Sequence, residues 1–294
     1  MAAYETLLRP TEEGLYCPPG DFHIDPVRPV ARALVTHGHA DHARPGNGAV
    51  LATRRTLDIM ALRYGADFAG QRQVADWGTP ITIGDVTVTF HPAGHVLGSA
   101  QIAVEHKGTR IVASGDYKRT ADATSEPFEP VPCDVFITEA TFGLPVFRHP
   151  SGRHEIGRLL ESLRQFPERA HVVGAYALGK AQRVIRMIRD EGYDAPIYIH
   201  GALVRLCEYY AQEGIDLGPL LPATLGKGQK GEFAGAIVVG ILSGWLPWLP
   251  VRGLSVHWRF WAKRCLSTSN MPADCACSIS KLPLMSWADW PNLP

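Results

Sequence analysis

Residues 36–42 of this chain read Thr-His-Gly-His-Ala-Asp-His. This stretch follows a short apolar run, which predicts a buried strand that ends where the histidines begin. In extended backbone, side chains two residues apart point to the same side, so His37 and His39 can hold one ion. Asp41 and His42 come as the chain turns and can face a second ion. Imidazole and carboxylate groups together suit zinc, with manganese or iron as alternatives.

Two later residues extend this metal constellation. His95 lies in Ala-Gly-His-Val-Leu-Gly-Ser-Ala, residues 93–100, where the glycines permit a tight loop. Asp116 lies in Ser-Gly-Asp-Tyr, residues 114–117, directly after an apolar strand, where a carboxylate can bridge two cations. Alone, each has an ordinary structural interpretation, as a histidine or a turn former. In this order after the first motif, they predict a metal centre rather than a histidine-rich surface turn.

This pattern resembles the metallo-β-lactamase superfamily, whose first motif is His-x-His-x-Asp-His, followed by a lone His and then a lone Asp. The resemblance covers roughly residues 10–145. It implies one metal held by three histidines, a second held by an Asp and a His, and one bridging carboxylate. In that order, these ligands are His37, His39 and His95, then Asp41 and His42, then Asp116. Such metals, about 3.5–4 Å apart, activate a water for displacement at phosphorus, and Asp41 would orient that water.

Further features resemble the β-CASP nucleases within this superfamily. Thr-Glu-Ala-Thr-Phe-Gly, residues 138–143, looks like the acidic motif of that branch and implies a catalytic role for Glu139; the alternative is a surface acid at a strand end. Three β/α units between residues 148 and 235 resemble its cap. Residues 14–26 and 90–102 are similar to bacterial DNA-ligase-associated exonucleases, a subgroup that itself resembles RNA 3′-end processing factors.

The periodicity predicts an α/β chain in three parts. Strand, turn and strand patterns dominate before Cys133, whereas strands then alternate with apolar residues at helical spacing. We therefore expect a metallo-β-lactamase αββα sandwich with an inserted β-CASP-like parallel α/β cap and an incomplete or divergent C-terminal part. The expected boundaries are 1–147 for the metallo-β-lactamase-like domain, 148–235 for the cap and 236–294 for a divergent tail, where the chain would return to the first domain.

The tail departs from the family pattern. Six of the seven tryptophans lie in the last fifty residues, and prolines interrupt the helical periodicity there. The family places two more histidines after the cap, one resembling a general acid and one completing the second metal site. The nearest match here is Ser-Trp-Ala-Asp-Trp, residues 286–290, which has no histidine. We expect an incomplete second metal site and low or absent activity, through divergence or a disturbed reading frame.

Because the net charge is zero, any contact with phosphate depends on local groups of basic residues. The 29 basic and 29 acidic residues cancel, which excludes a histone-like protein but not a basic groove. Candidate nucleic-acid contacts are Lys118, close after the Asp116 motif, and Lys180 and Arg183 at the start of a helix, where free N–H groups favour a phosphate. The alternative interpretation of the basic residues on this helix is a solvent-exposed face with no role in phosphate binding.

The sequence also indicates where the protein works. It contains no segment with the length and hydropathy of a membrane span, and its start lacks the pattern of a signal peptide. Cys17, Cys133 and Cys207 are isolated, as in a reducing compartment. We therefore expect a cytoplasmic protein.

These observations favour a metal-dependent phosphodiester hydrolase that acts on nucleic acid with two divalent ions, zinc or manganese. The resemblance favours a DNA-ligase-associated DNA exonuclease in DNA repair and implies a DNA ligase and a helicase as partners. The alternatives are an RNA 3′-end processing nuclease, a hydrolase of small thioesters or lactams, and a non-catalytic nucleic-acid-binding module. Metal content separates the binding module from the enzymes, and turnover of a small substrate without nucleic-acid cleavage identifies the small-substrate hydrolase.

Overall fold

The computed structural model describes residues 3–141, 143, 150–223 and 233–241, whose contacts divide into two units. Among the described residues, those up to Gly143 belong to the first unit, and those from residue 150 onward belong to the second. The expectations for the tail fall almost entirely on residues 242–294, which lie outside the described residues, as does Phe142 of the acidic motif.

Six strands of the first unit form one sheet, in which chain order is also spatial order. The strands are β1 (Arg9–Pro10), β2 (Leu15–Cys17), β3 (Phe22–Ile24), β4 (Arg32–Leu34), β5 (Asn47–Ala52) and β6 (Ala69–Val74). The first three pair antiparallel, and β3 to β6 pair parallel. A short helix, α1 (Ala3–Leu7), precedes this sheet, and α2 (Arg54–Tyr64) connects β5 to β6. Leu57 and Met60 of α2 pack against one face of the sheet.

Five strands form the second sheet of this unit, in the order β11-β10-β9-β8-β7. They are β7 (Ile81–Ile83), β8 (Val86–Pro92), β9 (Ala100–His106), β10 (Thr109–Ala113) and β11 (Val135–Ile137). The strand, turn and strand patterns expected before Cys133 are present here as two antiparallel hairpins, β7–β8 and β9–β10. Only the last pair, β10 with β11, runs parallel, which brings the ends of these two strands to the same edge of the sheet.

The two sheets face each other across a shared apolar core. Leu34 and Leu51 from the first sheet and Phe90, Ile102 and Ile111 from the second belong to one cluster of buried side chains. Each such side chain contributes about 1.5–3 kcal/mol when it is fully removed from water. With α2 on the opposite face of the first sheet, the described residues supply one helical layer and both sheets of the αββα sandwich that the sequence predicts.

The second unit is a parallel sheet with helical connections. Its elements are α3 (Gly152–Gln165), β12 (His171–Ala175), α4 (Lys180–Asp190), β13 (Ile197–Ile199), α5 (Gly201–Gln212), β14 (Leu220–Pro222) and β15 (Ile237–Ile241). The strand order is β12-β15-β13-β14, and every pair is parallel. Strand β15 lies in the interior of this sheet, so the sheet extends past residue 235, where we expected the cap to end.

The described residues also bear on the expectations about membrane spans and free cysteines. Among these residues, we find no helix that is both long enough and apolar enough to cross a lipid bilayer. Cys17, Cys133 and Cys207 are free thiols. Burial raises the pKa of both the Cys17 and the Cys207 thiol to about 11, so these two are poor nucleophiles at neutral pH.

Candidate metal centre

Two carboxylates follow the parallel strands of the second sheet. Asp116 comes after β10, and Glu139 comes after β11. The pairing continues past the end of β10, where the Ser114 N–H donates to the Ile137 carbonyl oxygen at 2.9 Å. Both acidic residues therefore reach the same edge of the sandwich.

The first sheet meets the second at this edge. The Ala100 N–H donates to the carbonyl oxygen of Thr36 at 2.8 Å, which joins the start of β9 to the residue before the first histidine. Gly115 passes directly over Thr36: its φ is +54°, and an added Cβ would lie 2.7 Å from the Thr36 Cβ. Only glycine fits there without displacing backbone or side chain. This close approach brings the loops of His37 and Asp116 together.

Four of the predicted ligands converge on one point. One ligand atom from each lies within 4.8 Å of the others in the group His37, His39, His95 and Asp116. The Nε2 atoms of His37 and His95 lie 3.0 and 3.2 Å from Nδ1 of His39. Oδ2 of Asp116 lies 3.5 Å from Nε2 of His95 and 3.9 Å from Nε2 of His37. Three imidazoles and one carboxylate form a donor set that fits a divalent ion such as zinc.

His37 is held in the tautomer that a metal requires. Its Nδ1 lies 3.0 Å from the hydroxyl of Thr36, which donates its hydrogen to Oδ2 of Asp25 at 2.6 Å. Because a hydroxyl has one hydrogen, it accepts from Nδ1–H of His37, which leaves the Nε2 lone pair facing the cluster. The ring is fully buried, and burial, followed by the neighbouring histidines, lowers its pKa well below the ordinary value. His37 is therefore neutral at physiological pH.

His42 lies beside this cluster with three carboxylates around it. Its Nε2 is 3.5 Å from Oδ1 of Asp116 and 3.8 Å from Oδ2 of Asp41, and its Nδ1 is 2.7 Å from Oδ2 of Asp25. Burial lowers the pKa of His42, but the hydrogen bond to Asp25 and the three negative charges outweigh it and raise this pKa to about 9. The pKa of Asp116 is raised, first by burial and then by neighbouring acids including Glu139, although His42 opposes the shift. A bound divalent cation would offset the electrostatic repulsion among these carboxylates.

Asp25 supports the centre, although the histidine spacing did not reveal it. It follows β3 with a left-handed φ of +46°, a conformation that Asp tolerates better than most residues. Its carboxylate accepts from the Thr36 N–H at 2.8 Å, from the Thr36 hydroxyl and from the His42 ring. The available sequence signal is the pair Asp25-Pro26 directly after a strand, which marks a sharp turn but not its partners.

The comparison with known families agrees with this geometry. The beta-lactamase superfamily domain matches residues 6–171, which is more than half of the chain. The chain belongs to this superfamily. Divalent metal binding by such a domain accords with the cluster of three histidines and one aspartate.

Relatives extend the comparison beyond the superfamily. A protein of Opitutus terrae described as a probable DNA ligase is 29% identical over 210 residues, 70% of this chain and 20% of that protein. The endoribonuclease ysh1 of Aspergillus fumigatus is 32% identical over 147 residues, 46% of this chain and 16% of that protein. Ribonuclease TTHA0252 of Thermus thermophilus is 27% identical over 230 residues, 65% of this chain and 53% of that protein.

This chain therefore spans between about a sixth and about a half of the length of these superfamily relatives. The matches confirm the resemblance to the β-CASP branch that the sequence motifs indicate.

The two residues predicted to be catalytic lie near the cluster. The Asp41 side chain is 75% exposed and adjoins His42, as expected of a group that meets solvent or substrate. Oε2 of Glu139 accepts a hydrogen bond from the Thr141 N–H at 2.7 Å, and its charge contributes to the raised pKa of Asp116. Their catalytic roles stay predictions.

The three predicted nucleic-acid contacts lie in different surroundings. In the first unit, Nζ of Lys118 forms an ion pair of 2.8 Å with Oδ2 of Asp122, a pairing with which a phosphate would compete. In the second unit, Lys180 and Arg183 lie in the first turn of α4 and are half-buried. The preceding Gly179 N–H is already bound to the Gln182 side-chain oxygen at 2.8 Å. The phosphate contacts of all three basic residues stay predictions.

Proposed function

We propose that this chain is a metal-dependent phosphodiester hydrolase that acts on nucleic acid. The observation that carries the proposal is the convergence of His37, His39, His95 and Asp116 in a chain whose superfamily relatives include proteins described as nucleases. Because His37 is neutral with its Nε2 lone pair toward the cluster, it can bind a cation without first losing a proton.

The proposed cofactors are two divalent ions, zinc or manganese. His37, His39 and His95 would hold the first, and Asp41 with His42 would hold the second, with Asp116 between them. This second group of ligands is supported by the 3.5 Å separation between Nε2 of His42 and Oδ1 of Asp116. When bound, such ions lower the pKa of a water molecule and stabilise the negative charge that develops at phosphorus.

The chain's own groups would supply orientation and charge. Asp41, exposed beside His42, can accept a hydrogen bond from the attacking water and so direct it. Asp25 holds the His42 ring, which otherwise rotates about its side-chain bonds. Glu139 adds negative charge near Asp116, which favours cations there over anions.

We further propose DNA as the substrate and a DNA-ligase-associated exonuclease in repair as the role, acting in the cytoplasm. The match over 70% of this chain to a protein described as a probable DNA ligase supports DNA and supports a ligase as partner. A helicase partner is proposed from the family resemblance alone. The relatives described as an endoribonuclease and a ribonuclease favour the second candidate, an RNA-processing nuclease. The low activity expected from the divergent tail stays a prediction.

The test combines metal analysis with cleavage of DNA and RNA labelled at the 5′ or the 3′ end. The purified chain should hold divalent metal and cleave DNA slowly, at a rate that metal addition raises. His39→Ala should lose metal and cleavage together. His106→Ala is the matched control, because this histidine bonds to the Asp85 carbonyl oxygen in the hairpins of the second sheet and lies outside the cluster of four candidate ligands.

Each outcome has a defined meaning. Cleavage of RNA alone would replace DNA as the substrate, and turnover of a thioester or lactam without nucleic-acid cleavage would overturn the nuclease proposal. Absence of bound metal in the unaltered chain would overturn the metal-dependent mechanism. A missing general acid typically costs about 10²–10⁴ in rate, so rapid cleavage would contradict the low activity expected from the tail.

A further inference from the structure

The loop that carries His95 is closed by its own hydrogen bonds. The N–H groups of His95 and Val96 both donate to the Ser99 hydroxyl oxygen, at 2.9 and 3.1 Å. The Ala93 N–H donates to the Ser99 carbonyl oxygen at 2.9 Å. These bonds define the shape of the loop but not its place relative to the other ligands, so something outside the loop must hold it.

Outside groups hold the loop at both ends: the Lys118 N–H donates to the Ala93 carbonyl oxygen at 2.9 Å, and the Ala100 N–H donates to that of Thr36. The largest group of outside contacts meets at Gly98. Its carbonyl oxygen accepts from the buried hydroxyls of Thr53 and Thr56, at 2.7 and 3.0 Å, where α2 begins. Its N–H donates to Oε2 of Glu126 at 2.9 Å, and Oε1 of the same carboxylate pairs with Arg55 at 2.6 Å. Both backbone groups of Gly98 are therefore held by side chains far away in sequence.

The approach between Gly98 and α2 leaves no room for a side chain. The φ of Gly98 is +79°, and an added Cβ would lie 2.6 Å from Cβ of Arg55 and 3.0 Å from Oγ1 of Thr53. The loop is thus seated directly on the first turn of the helix. A shift of either partner would break several contacts at once.

Glu126 is placed at unusual electrostatic cost. Its side chain is only 12% exposed, and burial of a carboxylate is unfavourable unless a charge and hydrogen bonds compensate. Arg55, its partner, lies in the first turn of α2, where the helix dipole disfavours a positive charge. The pair offsets both costs and directs its remaining oxygen to the Gly98 N–H.

We propose that Glu126 is a positioning residue of the metal centre. Through Gly98, it fixes the loop so that Nε2 of His95 stays 3.2 Å from Nδ1 of His39 and 3.5 Å from Oδ2 of Asp116. Ligands held in place before the ion arrives bind it more tightly, because less freedom is lost on binding. This inference rests on the proposed metal binding, since Glu126 itself is absent from the cluster of four candidate ligands.

The test measures cobalt(II) binding to the full chain by titration, with the visible absorption of the bound ion as a report on its ligand geometry. Glu126→Ala removes both contacts and should weaken binding about 10-fold and change the cobalt spectrum. Glu126→Gln keeps an oxygen that can accept from Gly98 and should restore most of the affinity and the spectrum. Such rescue by the isosteric variant separates positioning from a general loss of stability.

The matched control is Glu105→Gln, which makes the same chemical change in another ion pair of this unit. Glu105 pairs with Arg110 at 3.0 Å across the β9–β10 hairpin, outside the His95 loop. The cobalt affinity and spectrum of the Glu105→Gln variant should equal those of the unaltered chain. Arg55→Met is a further variant that leaves the acceptor in place but removes its anchor, and it should weaken binding several-fold.

The outcomes distinguish this inference from the proposed function. If the unaltered chain binds cobalt and the folded Glu126 and Arg55 variants bind it with equal affinity and spectrum, Glu126 has no positioning role and the metal centre stands. If the unaltered chain binds no divalent ion, both the positioning role of Glu126 and the proposed metal-dependent function are wrong. Circular dichroism establishes which variants fold; if Glu126→Ala does not, Glu126→Gln and Arg55→Met decide, and unchanged binding in Arg55→Met overturns the inference.

Discussion

Oδ2 of Asp25 lies 2.7 Å from Nδ1 of His42. The same oxygen accepts the Thr36 hydroxyl, which in turn orients His37. One carboxylate therefore sets the ring direction of two histidines that the superfamily pattern assigns to different metals. The two predicted sites are coupled through Asp25 even before any cation is bound.

Asp25→Asn should destabilise the protein by about 1–3 kcal/mol, because the amide group offers one acceptor oxygen where the carboxylate offers two, and a buried donor loses its partner. The free energy of unfolding in urea measures this change. Asp21→Asn is the matched control: Asp21 also has a positive φ, +50°, but its carboxylate accepts from the exposed Tyr16 hydroxyl, at 2.9 Å, rather than from buried donors. Asn tolerates this backbone conformation at both positions. Equal losses in the two variants would contradict the supporting role of Asp25.

The metal-free protein should lose stability as pH rises from about 6.5 to about 9. The pKa of His42 is raised from 6.5 to about 9 in the folded state, so the folded protein binds the proton more tightly than the unfolded chain. The resulting stabilisation, about 3 kcal/mol, is complete below the unfolded pKa and disappears above the folded one. Urea unfolding of chelator-treated protein between pH 7 and 8.5 measures the slope. His42→Gln should flatten it, and an unchanged slope in that variant would assign the effect elsewhere.

Asp116→Asn should weaken metal binding while it stabilises the metal-free protein. Burial and nearby acids raise the pKa of Asp116, so its charged form is disfavoured until a cation is present. We expect the affinity for a divalent ion to fall at least ~10-fold, because removal of a group that only supports a metal ligand already causes a loss of that size. Calorimetric titration and thermal unfolding report the two effects. Asp134→Asn makes the same chemical change at an exposed carboxylate, which accepts from the Arg110 N–H at 2.7 Å, and it should leave metal affinity unchanged.

Gly115→Ala should cost more stability than Gly108→Ala, although both residues have positive φ. At Gly108 nothing lies within 4 Å of an added Cβ, so only the backbone preference is lost, about 1–2 kcal/mol. At Gly115 the new Cβ would also press on Thr36. Urea unfolding of the two variants separates crowding from backbone strain. A Gly115→Ala loss no larger than that of Gly108→Ala would show that the loops can separate without cost.

Four of the six candidate ligands could be predicted from sequence because they are local, whereas His95 and Asp116 were assigned from the order of the superfamily motifs. His37, His39, Asp41 and His42 all lie in the loop that follows β4, so their spacing alone brings them together. The helices α3, α4 and α5 were predicted for a similar reason, since each carries apolar residues at helical spacing over several turns.

The supporting residues could not be predicted in this way. Glu126 meets Gly98 across 28 residues of sequence and Arg55 across 71, and no local pattern marks a pair at such separations. Helix α2 is a different case, since local signals for it exist. Thr53 accepts from the Thr56 N–H as its N-cap, and Gly65 ends it, so its capping residues indicate a helix that we did not predict.

The position of β15 has a consequence for how the second unit is built. Although it is the last described strand along the chain, it pairs with both β12 and β13, which come earlier. During synthesis, β12 and β13 leave the ribosome before β15. Because these two strands do not pair directly with each other, the sheet cannot close until residue 241 has been synthesised. Translation would therefore leave two apolar strand edges unpaired for a time, and assembly of this sheet depends on the insertion of its last described strand between them.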